Sequence, residues 1–209
     1  MAKYGILRSS TNTGSAAELI SVFSAPLSVV SVRPALVSDT LTLKRKGSYS
    51  DIQRWEITAG LSAVENPYEQ FVHQLTTGLN GRFYIRMPQM YRAKTVRQGL
   101  ALTATAAYAA STDTLILTSL GTEILPVGEY IKFANHSKVY LVTASSLVSG
   151  KNVISVFPKL VQNVAINEAV SYGERVTMTA MYADSTDFSI RYSDGILVDY
   201  PSISLVESL

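Results

Sequence analysis

Cysteine is missing altogether from this chain of 209 residues. That removes disulfides, zinc–thiolate sites, iron–sulfur clusters and thiol nucleophiles. Histidine is nearly as scarce, with only His73 and His136. A Ser or Thr nucleophile needs a neighbouring base, and the two imidazoles fall in different predicted units. The stretches G-x-S-x-G, G-x-x-x-x-G-K-[ST] and G-x-G-x-x-G are all lacking, so nucleophile-elbow and phosphate-cradling chemistry have no scaffold. Charge of one sign is also lacking: 18 Lys and Arg face 16 Asp and Glu, a formal net charge of +2. A duplex-binding surface draws affinity from neutralised phosphates and shows a basic excess. The one dense basic run, "LKRKG" from Leu43 to Gly47, reads instead as a solvated strand end.

Long apolar runs are missing too, none approaching the ~18 residues of a membrane span. The N-terminal "MAKYGILRSSTNTGSAAELISVF" is interrupted by Arg8 and a polar Ser/Thr/Asn stretch, unlike a secretory leader. A soluble product with no membrane partner and no secretory route is expected. With 47% hydrophobic residues, a chain of this size can bury roughly 70% of its unfolded surface without a covalent staple.

What is present is mostly strand. "SDIQRWEITAGL", "GRFYIRMP", "DTLILTSL", "NVISVFPKL" and "RVTMTAMYA" carry β-branched and aromatic residues, most in alternation. In "RWEITAGL", Trp55, Ile57, Ala59 and Leu61 share one face, and Glu56, Thr58 and Gly60 the other. Such a strand buries one face. One segment differs. Tyr68, Phe71, Val72, Leu75 and Leu79 form a helical stripe, with Asn66 as N-cap, Pro67 next, and Gly78 or Gly81 as the stop. The spacing predicts one α-helix over about 66–77, flanking the sheet, with His73 on its polar side.

At "RAKTVRQGLALTATAAYAASTDTLILTS" the chain becomes rich in Ala and Thr and begins a run of short strands. Longer strands resume after about Tyr172. The expected organisation is an N-terminal arm over 1–25, a discontinuous β-barrel or sandwich from 26–94 plus 174–209, and a small inserted β-domain over 95–173. Two consecutive domains are the alternative.

Candidate chemistry reduces to carboxylates. Asp184, Asp187, Asp194 and Asp199 crowd the C-terminal strands, where paired carboxylates could do glycosidase work or hold calcium. Their settings, "ADSTDF" and "SDG", are turn sequences in which Asp bonds its own backbone. His136 sits in "ANHS" between "EYIKF" and "KVYLVTA", the composition of a hairpin turn. No metal, cofactor or catalytic residue is expected.

The stretch "LPVGEYIKFANHSKVYLVTAS…GKNVISVFPKLVQNVAINEAVSYGE" resembles small tail-tip proteins of long-tailed bacteriophages. Their pattern is a "G-[DE]-[YW]-I" strand, a polar turn, a "[KR]-[VL]-Y-[LM]-V-T" strand and "G…I-x-[VI]-x-P-x-L". "RWEITAGL", the helix and "LTTGLNGRFYIRMP" are similar to the family's Trp strand, helix and "L-x-G-x-x-G-x-F" turn. The resemblance covers most of residues 50 to 200 and rests on structural residues. It implies a distal tail or baseplate component, with a tail-tube-like β-barrel or sandwich joined into a hexameric ring around the DNA channel. It implies an inserted outer domain that docks hub, sheath or fibre proteins, synthesis in the host cytoplasm, and residence in the virion. DNA would pass without specific binding.

Edge strands template pairing with other chains. "TLTLK" and "ISLVES" alternate near the chain ends, which nominates Leu41, Leu43, Lys44, Arg45, Lys46, Ile203 and Leu205 as intersubunit residues. Ala16 to Val32 reads as an arm ordering against a neighbour. Two rival classes remain. One is a carbohydrate-binding β-module, its platforms drawn from twelve Tyr and one Trp. The other is a glycosidase or lyase using Asp194 or Asp199.

Overall fold

In the computed structural model, residues 4–7, 19–39, 45–49, 52–61, 81–89, 101–118, 120–121, 123–183, 191–193, 196–199 and 202–209 are described. The chain is mainly β. Strands before the composition change are β1 (Gly5–Leu7), β2 (Leu19–Val32), β3 (Ala35–Asp39), β4 (Arg45–Tyr49), β5 (Arg54–Leu61) and β6 (Phe83–Arg86). Next come β7 (Leu102–Thr103), β8 (Thr114–Leu117), β9 (Tyr130–Phe133), β10 (Tyr140–Val148), β11 (Lys151–Phe157) and β12 (Ala169–Tyr172). A 3-10 turn, Gly173–Arg175, leads to β13 (Thr177–Tyr182), β14 (Arg191–Ser193), β15 (Ile196–Asp199) and β16 (Ser202–Glu207).

β1, β2, β5, β16, β13 and β6 close into an antiparallel barrel in that order. Alternation drives it. Trp55, Ile57 and Ala59 of β5 are buried while Thr58 is exposed, and they meet Ile85, Met178, Ala180 and Leu205 in one core. A second sheet, β7-β12-β9-β10-β11-β8, is built from the chain between β6 and β13. It curls around its own core of Leu115, Ile131, Phe133, Tyr140, Ile154 and Tyr172. Its two outer strands meet at the Ala104–Leu117 bridge, with Thr118 N donating to Thr103 O at 2.8 Å. The β10–β11 hairpin turns through Ser149 (φ 49°) and Gly150 (φ 74°). Two successive positive-φ residues give the twist that suits a two-residue hairpin.

Two expectations are corrected and several lie outside the described residues. Residues 4–7 and 19–25 do not form a separate arm: β1 pairs with β2 and β6, and β2 pairs along β5. A register shift between Ser24 and Leu27 sets two extra residues of β2 against β5 and keeps the parity, so Phe23, Leu27 and Val29 all pack against the barrel core. β16 is not an edge, because β5 and β13 flank it on both sides. Ile203 and Leu205 accordingly point into the barrel, 5% and 0% exposed. The strand expected at "TLTLK" lies outside the described residues; on either side of it β3 and β4 pair as a ribbon, with Ser38 opposite Lys46 and Asp39 opposite Arg45. Leu41, Leu43 and Lys44 lie outside the described residues, as do the helix expected at 66–77, His73, Asp184, Asp187 and Asp194.

The barrel core should respond as a packed interior. Leu205→Ala is expected to cost about 2–5 kcal/mol, whereas Ser204→Ala on the opposite face should change stability by less than about 0.5 kcal/mol. Urea unfolding of both variants checks this; equal losses would contradict the assigned facing of β16.

Candidate functional site: the junction between barrel and second sheet

The buried polar groups described most fully lie where the two sheets meet. On β16, Ile203, Leu205 and Glu207 share one parity, so the carboxylate at the strand's end falls on the inward face, 5% exposed. Lys138 precedes β10 and is fully buried. Its ammonium donates to Glu207 Oε2 and to Gln53 O at 2.7 Å. Glu207 also accepts from Val139 N at 2.9 Å and from Trp55 N at 3.1 Å. One carboxylate therefore gathers a cation from the second sheet and main-chain donors from both sides. Burial pushes Lys138 below the usual lysine range, and the Glu207 charge pulls it partly back. An unpaired buried charge costs several kcal/mol, so each member requires the other.

Trp55 completes the seam. Its Nε1 donates to Val139 O at 2.8 Å. Its ring meets Tyr130 edge-on at 5.3 Å and Phe157 at 6.3 Å between centroids. Both rings come from the second sheet, and Val139 is itself part of the barrel core. Lys132 donates to Thr177 O at 3.1 Å.

The two chain crossings are tied at one node. Gln89, past β6 on the incoming side, donates to Gly173 O at 3.1 Å and accepts from Tyr130 N at 3.0 Å. Gly173 lies on the outgoing side, and its N–H donates to Glu129 Oε1. Glu129 is fully buried, and among the described residues its Oε2 has no hydrogen-bond partner. Burial pushes the Glu129 carboxyl up to about 8, slightly relieved by the Gly173 N–H.

Beside the seam lies a groove of about 450 Å³, lined by Val32, Pro34, Ile52, Gln53, Glu207 and Leu209 among others. Ile52 and Leu209 are 69% and 53% exposed. His136 is buried at 3% exposure, with Nδ1 at 2.8 Å from Tyr140 Oη and Nε2 at 3.3 Å from Asn163 O. Both nitrogens fasten a turn between β9 and β10. Among the described residues no group of three or more His, Asp or Glu could hold a metal ion. Asp199 ends β15, opposite Arg191.

Of the nominated residues, the structure brings Ile203 and Leu205 into the core and Arg45 and Lys46 onto the ribbon. It does not gather them into one site. Glu129, Lys138, Gln89 and Glu207 were missed by the sequence reading. Glu207 had a readable signal, a carboxylate on the apolar parity of its strand. No protein-family model matches the chain, and no curated protein matches it.

Breaking the buried pair from one side should be expensive. Lys138→Met is expected to lower stability by about 3–5 kcal/mol, read by chemical unfolding. Adding Glu207→Gln to that variant should recover part of the loss, because it removes the stranded charge. Additive losses would contradict the coupling.

Proposed function

We propose that this chain is a structural component of a bacteriophage tail tip or baseplate, assembling with copies of itself into a hexameric ring around the DNA channel and docking hub, sheath or fibre proteins. The observation that carries the reading is how the polar residues are spent. Those buried at the junction bond main chain and one another across a seam between two sheets, an arrangement suited to a rigid building block rather than to turnover. The chain is on this reading not an enzyme and needs no cofactor.

The strand edges offer further support. Barrel closure uses up the edges of β16 and its neighbours, which leaves the β3–β4 and β14–β15 ribbons as the described two-stranded elements. An isolated two-stranded ribbon is marginal in water, and its outer edges are templates for pairing. The intersubunit proposal therefore moves from β16 to the ribbon that carries Arg45 and Lys46. The tube-like character of the barrel and the flanking helix belong to the same proposal, as does a channel lining poor in cations, since cations would grip phosphates. Lys44, Arg45 and Lys46 then face neighbouring subunits or the outside. The carbohydrate-binding alternative has little to stand on at Trp55, which is 4% exposed and packed on both sides.

Native mass spectrometry should find a closed oligomer of defined copy number. Reversing Lys44, Arg45 and Lys46 to Glu should release monomers whose circular dichroism is unchanged. A wild-type protein that stays monomeric at every concentration, and that is not found in tail tips by electron microscopy of the particle, would sink the proposal.

A further inference from the structure

We infer that Glu129 is the proton-operated latch of the junction: with its carboxyl protonated the second sheet is held against the barrel, and loss of that proton loosens the hold. The geometry makes the carboxyl's charge state a property of docking. Glu129 is fully buried at the start of β9, and one oxygen bonds the Gly173 amide on the outgoing crossing. The other oxygen has no partner among the described residues. Gln89 binds Gly173 and Tyr130 from the incoming crossing, so both connections converge on the same few atoms. A carboxylate buried with a single N–H partner is strongly disfavoured. Ionisation is accommodated by admitting water, which requires the Gly173 turn and the start of β9 to part.

The surrounding charged groups have other engagements. On β9, Lys132 reaches Thr177 O and the Tyr130 ring packs on Trp55. On the β10 side Lys138 is held by Glu207 and Gln53, and Tyr140 Oη by His136 and Val161 N. On the outgoing crossing Arg175 is exposed and Glu174 half-buried. Arg86 is buried at the end of β6 and has contacts of its own.

The direction follows from linkage. The closed form holds the Glu129 proton up to about pH 8, against 4.5 for a solvated carboxyl. Closure is therefore firmest below 4.5, weakens as pH rises between those values, and levels off above 8. Lys132 and Lys138, both pushed down by burial, act in the opposite sense as pH rises. Buried Tyr130 and Tyr140, both pushed up from 10.0, act only in stronger alkali.

Hydrogen exchange on the full chain reads the latch, after correction for the intrinsic pH dependence of exchange. Protection of the Gly173 and Tyr130 amides should fall about tenfold per pH unit between 5 and 8, then level. Glu129→Gln should abolish that slope while leaving every other side chain in place. A flat wild-type profile, or the same slope in E129Q, overturns the inference. Should E129Q fail to fold, a carbon-13 NMR titration of the Glu129 carboxyl in the wild-type protein decides. A midpoint near 8 supports the latch, and one near 4.5 overturns it.

Discussion

The bond between Lys138 and Glu207 is the constraint on which the rest of the structure depends. Glu207 ends a barrel strand and Lys138 lies just before a strand of the second sheet, and neither could be buried without the other. The Coulomb attraction of a buried pair can be outweighed by the cost of desolvating it. What the pair supplies here is position. With Glu207 at the end of β16 and Lys138 just before β10, only one placement of the second sheet on the barrel satisfies both charges, the Gln53 carbonyl, and the amides of Trp55 and Val139. Apolar contact alone, from Trp55 against Tyr130 and Phe157, would tolerate sliding. The charges do not.

That fixed placement links the fold to the proposed role. A subunit of a mechanical assembly has to transmit force between its parts without changing their angle. Two closed or nearly closed sheets, each with its own core, fit that need if their seam is specific and dry. The seam runs from Gln53 and Trp55 through Val139 and Lys138 to Glu207. A second polar node at Gln89, Glu129 and Gly173 fastens the chain crossings. The first node is a compensated ion pair; the second contains a carboxyl with no cation bonded to it. The two nodes therefore answer to pH differently, although both serve the same docking.

Much of this was legible in the sequence wherever a residue's environment is set by its near neighbours. The alternation of Trp55, Ile57 and Ala59 announced a half-buried strand, and the polar "ANHS" between apolar runs announced a hairpin turn. Both depend only on local parity and turn chemistry. Long-range pairing was not legible. β16 read as an edge because alternation is the same in an edge strand and in a barrel strand; its partners β5 and β13 decide the difference. β2 was hidden because Ala25 and Pro26 stand unpaired in its middle, where the register against β5 shifts by two residues. The junction was least visible of all, since Lys138 and Glu207 are 69 positions apart and each alone resembles an ordinary surface charge. Sequence position showed only that Glu207 stands where an apolar residue belongs.

The central claim is that the buried polar seam makes barrel and second sheet a single mechanical body. Trp55, the only tryptophan of the chain, lies in that seam and reports on it directly. Equilibrium unfolding near pH 6, followed at once by Trp55 fluorescence and by far-ultraviolet circular dichroism, is the most direct measurement. Coincident transitions with one midpoint are the predicted result. An early loss of the Trp55 signal, with most of the strand signal surviving to higher denaturant, would contradict the account.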